Sequence, residues 1–120
     1  MTDDQRKVER VKAMIFTAVY ELNGHILLGF LGDLTLQGAM VVGEKPLETN
    51  RNTTLSIEFR GATEVPGGRL TIPAHAAWCR QEQESTYYHT GFEFIEMTEQ
   101  NKKTIESLLE RYKFSSDISR

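Results

Sequence analysis

Two short patterns in the first third of the chain carry the residue types that do chemistry. Arg6 and Arg10 stand four residues apart in a charged stretch. Asp33, Thr35 and Gly38 follow, with Asp33 23 residues after Arg10, where one strand is expected to give way to the next. Guanine offers two acceptors, O6 and N7, on one edge and an amino donor at N2 on another. An arginine fork matches the acceptor pair, while a carboxylate or hydroxyl accepts from the donor edge. The same fork pairs with phosphate. Two arginines four apart on an extended chain face one side, so Arg6 and Arg10 have the means to clamp a base edge and a phosphate together. Asp33 and Thr35 would take the opposite edge, and Gly38 would let backbone amides approach with no Cβ in the way. This is the inventory for holding an anionic guanine nucleotide.

The bulk composition narrows the alternatives. A chain of 120 residues, 39% hydrophobic and 26% charged, is sized for one domain with one core. The net charge of −3 supplies no global basic field, so long nucleic acid is not an expected partner. A small anion needs only a local cluster, and Arg6, Lys7, Arg10 and Lys12 form one, partly offset by Asp3, Asp4 and Glu9. Cys79 is the single cysteine, which excludes an intrachain disulfide. No apolar run reaches membrane-spanning length and the charged start lacks a signal-peptide core; a cytoplasmic protein without membrane insertion is expected. His25, His75 and His89 are scattered, without metal-ligand spacing. No nucleophile–base pair or phosphate-cradling glycine loop is present either, so the expectation is a binding protein rather than an enzyme.

The elements that must position these residues read mainly as strands. Residues 1–12 are polar and are expected to form a mobile arm. The stretch 13–21 is rich in β-branched and aromatic types, and Asn23-Gly24 after it is a strong hairpin signal. Further strands are predicted at about 25–34, 39–42, 53–59, 69–80 (bent at Pro73) and 86–96. A loop is expected over 44–52 and a turn at Pro66-Gly67-Gly68. The period then changes. Thr98 suits an N-cap, and Ile105, Leu108, Leu109 and Tyr112 make one apolar stripe, predicting an amphipathic helix over 98–113. Six short strands and one helix give a mainly β domain over 13–114 with a short tail at 115–120. Closure of the sheet would remove its exposed edges.

Arg6-x-x-x-Arg10 followed by Asp33-x-Thr35-x-x-Gly38 resembles the PilZ domain family, whose signature is RxxxR followed by (D/N)xSxxG. The segments Ala76-Ala77-Trp78-Cys79-Arg80 and Gly91-Phe92-Glu93-Phe94, with the terminal helix, extend the similarity over nearly the whole chain. The resemblance implies a six-stranded antiparallel β-barrel, a split barrel with a C-terminal helix, that binds cyclic di-GMP, a bacterial second messenger. It implies that Arg6 and Arg10 grip guanine edges and phosphates from an arm wrapped over the barrel. Asp33 and Thr35 would contact the other guanine edge, and Gly38 would shape the turn. Trp78 falls where some members stack an aromatic residue on a guanine, and Arg80 is a weaker candidate on the same strand face. Thr35 stands where the family favours serine, and Gln5 precedes the first arginine, a position tied in the family to nucleotide stoichiometry.

Two functions follow from the resemblance. One is a receptor that orders its arm on cyclic di-GMP and signals to a downstream protein. The other is an adaptor of the same fold that serves motility or pilus machinery through protein contacts alone. Arg6, Arg10 and Asp33 favour the first, because an adaptor has no need of them.

Overall fold

A computed structural model describes residues 17–23, 25–59 and 61–118, the last without the side chains of 111–118. Alternation of apolar and polar residues builds the strands β1 (Ala18–Glu21), β2 (Ile26–Leu34), β3 (Gly38–Gly43), β4 (Arg51–Glu58), β5 (Arg69–Gln81) and β6 (Tyr88–Phe94). They pair antiparallel in the order β1-β2-β3-β6-β5-β4 and close into a barrel. Closure leaves no row of unpaired backbone groups at a sheet edge. One side chain in two points inward. Val19, Leu31, Val41, Leu55, Ile57 and Ile72, all at most 1% exposed, fill the interior.

The helix α1 (Glu99–Ile118) follows. Its first turn is capped by Thr98, whose Oγ1 accepts from Asn101 N at 3.0 Å, satisfying one of the free N–H groups of a helix start. Ile105 and Leu108 of the expected stripe are fully buried in the same core as the barrel residues, and Asn101 Nδ2 donates to Thr71 O at 3.1 Å, fastening the helix to β5. The helix runs to Ile118, beyond the expected end near 113 and through part of the expected tail.

Two further expectations change in detail. The predicted 44–52 loop ends at Asn50, because Arg51 and Asn52 already pair with Ala76 and His75. β5 runs on through Pro73, which pairs with Thr54 without a register shift. Pro73 O accepts from Ile95 N at 3.1 Å, one residue past the end of β6. A strand residue directs its N–H and C=O to the same side, so the N–H that proline lacks costs the β4–β5 ladder no bond. The interruption in β5 lies further on, between Ala76 and Trp78.

Candidate functional site

The candidate site lies on the outer wall, and two β-bulges create it. On β2, Leu31 pairs with Val41 and both point into the core. Strict alternation would send Asp33 inward as well. Gly32 is instead an extra residue, so Asp33 pairs with Met40 and Leu34 with Ala39. Leu34 is then the buried residue and Asp33 turns outward. The same event recurs on β5. Leu70, Ile72, Ala74 and Ala76 alternate inward, which would carry Trp78 into the core. A register shift at Ala77 pairs Trp78 with Gly91, and the indole emerges 40% exposed. Bulges commonly re-aim a side chain at a functional surface.

The consequence is one outward row crossing four strands: Asp33, Met40, Gly91, Trp78. Adjacent strands lie about 4.8 Å apart, so the two ends of the row stand roughly 14 Å apart along the backbone. Gly91 keeps the row low. A Cβ there would collide with the Nε1–Cε2–Cζ2 edge of the Trp78 indole, so the ring reaches across β6 only because that position is bare.

Thr35 and Gly38 form the adjoining hairpin between β2 and β3. Thr35 Oγ1 accepts from Gln37 N and Gly38 N, each at 3.1 Å, and Thr35 N donates to Gly38 O at 2.8 Å. The hydroxyl therefore shapes the turn, as side-chain oxygens do in short loops. Asp33 Oδ1 accepts from Leu34 N at 2.9 Å. Gly38 is required by strand packing, since a Cβ would collide with the carbonyl oxygen of Phe92 on β6.

Asp33, Thr35, Gly38 and Trp78 line one open depression of about 250 Å³, together with Met40 and Glu93 among others. Sequence reasoning had not singled out Met40 or Glu93; the signal that marks them is cross-strand pairing, invisible until the register is fixed. Among the described residues the lining holds the carboxylates of Asp33 and Glu93 and no cation. Arg80 is near but outside it, its Cζ 5.0 Å from the centre of the Trp78 ring. Arg6 and Arg10 lie outside the described residues. Thr17 O accepts from Leu31 N at 2.8 Å, so Thr17, the first described residue, adjoins the Gly32 bulge beside Asp33. From there Arg10 is seven residues away, a reach of at most roughly 25 Å. Among the described residues no cluster of histidine, cysteine or carboxylate side chains has the makings of a metal site, and no helix is long and apolar enough to cross a membrane.

Fold and site together describe a small closed antiparallel barrel with a C-terminal helix and an open depression on its wall. The PilZ domain model matches residues 4–111, and the chain belongs to the PilZ domain family. No curated protein sequence matches it. Among solved structures it is similar to the Bacillus subtilis inhibitor of motility MotI/DgrA, with a TM-score of 0.67 and 14% identity over 82% of this chain. That match spans only 46% of the Bacillus protein. It is also similar to the PilZ domain of YcgR from Escherichia coli with c-di-GMP, with a TM-score of 0.63 and 13% identity over 86% of both chains. The PilZ domain of CeSA from a cellulose-synthesizing bacterium has a TM-score of 0.53 and 20% identity over 81% of this chain and 90% of its own. At these identities the likeness concerns the fold.

Proposed function

We propose that the chain is a receptor for cyclic di-GMP that closes residues 1–12 over the depression on binding and signals to a protein partner in the cytoplasm. The observation that carries this reading is the charge of the lining. Asp33 and Glu93 supply acceptors for the N1–H and N2 amino donors of guanine, but no described lining residue neutralises phosphate. Cations from outside the described lining would complete it for a dianionic ligand, and Arg6 and Arg10 are the candidates. Trp78 offers the ring on which a guanine stacks, worth about 1–3 kcal/mol per base. Thr35 keeps the hydroxyl oxygen that shapes the hairpin, so it replaces serine without loss of that role. The c-di-GMP in the YcgR structure supports the choice of ligand.

The experiment is calorimetric titration with cyclic di-GMP, with amide hydrogen exchange on the same samples. Binding is expected in the wild type, with new protection over residues 5–12. Arg6→Ala and Arg10→Ala should each weaken binding at least tenfold, about 1.4 kcal/mol, with the melting temperature of the free protein nearly unchanged. No heat at millimolar ligand would leave the adaptor reading in its place. Binding without protection of residues 5–12 would remove the arm from the mechanism.

A further inference from the structure

The two sides of Trp78 along β5 have different surroundings. The depression reaches Ala77 and Trp78 on β5 and Gly91, Phe92 and Glu93 on β6. All of these lie at the indole or toward the start of β5, given the antiparallel register. The next outward pair in the other direction is Arg80 and His89, and neither lines the depression. The Arg80 guanidinium covers the ring from there, 5.0 Å from its centre. Along β5, then, the depression lies on the Ala77 side of Trp78 and the Arg80 cation on the other. Beside Arg80 on β6, His89 Nε2 and Glu82 Oε1 are 2.7 Å apart.

We infer that Arg80 is a positioning residue for nucleotide binding: its guanidinium backs the indole and holds the opposite face as the wall on which a base stacks. The inference rests on the cyclic di-GMP reading of the site. A partly exposed indole carried by a strand has two side-chain torsions to fix. Its edge is set by the space over Gly91, and its plane is set by the cation packed against it. Such a contact is attractive within about 6 Å of the ring centre. The planar guanidinium suits the task better than an ammonium, because it stacks on an aromatic face and is weakly hydrated. Arg80 acts through the ring and contacts no ligand atom itself.

Trp78 is the only tryptophan, so intrinsic fluorescence reports on this ring alone. The test compares wild type, Arg80→Lys and Arg80→Ala by acrylamide quenching without ligand, and by calorimetry with cyclic di-GMP in both the wild-type and Trp78→Ala backgrounds. Arg80→Ala should increase quenching, leave the melting temperature close to wild type and weaken binding roughly three- to fivefold, the scale of an exposed cation–π contact. Arg80→Lys should fall between the two. In the Trp78→Ala background, removing Arg80 should cost nothing further. Equal losses in both backgrounds would overturn the inference by making Arg80 a direct ligand contact, and unchanged quenching would overturn it by leaving the ring indifferent to the cation. If the wild type binds no cyclic di-GMP, the failure belongs to the proposed ligand. The quenching series then still decides whether Arg80 holds the ring.

Discussion

The two glycines of the site differ in what stands where a side chain would be, and that difference sets the cost of filling each. At Gly38 the obstacle is a backbone carbonyl, that of Phe92 on β6. At Gly91 it is the edge of one side chain, Trp78. A carbonyl engaged in a barrel ladder moves only if the strands separate, whereas an indole that is 40% exposed can swing outward. Overpacking costs about 1–3 kcal/mol. We predict that Gly38→Ala lies at the upper end, about 2–3 kcal/mol, and Gly91→Ala near about 1 kcal/mol, both read by urea unfolding. Gly91→Ala should also change the fluorescence of the single tryptophan, and Gly38→Ala should leave it nearly as it was. A reversed order of stabilities would mean that the β3–β6 spacing yields more easily than the ring. The spacing of Asp33, Thr35 and Gly38 was readable in the sequence for a local reason: one hydroxyl oxygen reaches the amides two and three residues on. Its demand on Gly38 was not readable, because that demand comes from a strand more than fifty residues away.

At the scale of elements, the strands and the helix were legible because each writes its own period. The Thr98 cap and the Ile105–Leu108 stripe are contained within one helix and appear as expected. The bulges were not legible. Inward alternation from Leu70 to Ala76 predicts a buried Trp78, and only the pairing with β6 reveals that Ala77 reverses the phase. The same holds for Gly32 and Asp33 on β2. The face that carries the site thus depends on two single-residue slips that composition does not announce. The helix start offers a simple check of local energetics. Thr98→Ala removes the oxygen that accepts from Asn101 N and should lower stability by about 1 kcal/mol, within the usual range of N-cap losses. For a chain of 120 residues that is a fall of roughly 4 °C in the midpoint of thermal unfolding. A loss under a few tenths of a kcal/mol would show that the Asn101–Thr71 bond, not the cap, secures the first turn.

At the scale of the whole molecule, the helix residues Ile105 and Leu108 do not line the depression, but they share one core with its buried residues Leu34, Ala39 and Phe92. The depression uses β2, β3, β5 and β6 and the hairpin between the first two. The helix adds Ile105 and Leu108 to the core. Leu108→Ala leaves a cavity in a fully buried position and should cost about 2–5 kcal/mol. Ligand stabilisation follows mass action: at a hundred times the dissociation constant, a ligand that binds only the folded state adds about 2.7 kcal/mol. If the wall and the packed helix are energetically independent, the two quantities add. We therefore predict that cyclic di-GMP raises the unfolding free energy of Leu108→Ala by the same increment as in the wild type, although the variant starts from a lower baseline. Urea unfolding of both proteins with and without ligand measures this directly. A smaller increment in the variant would mean that helix packing is felt at the depression through β5, the strand that contacts the helix and carries Trp78. Binding and the packing of the C-terminal helix would then be two readings of one equilibrium, and a partner that grips the helix would change the affinity for the nucleotide by the same factor that the nucleotide changes the affinity for the partner.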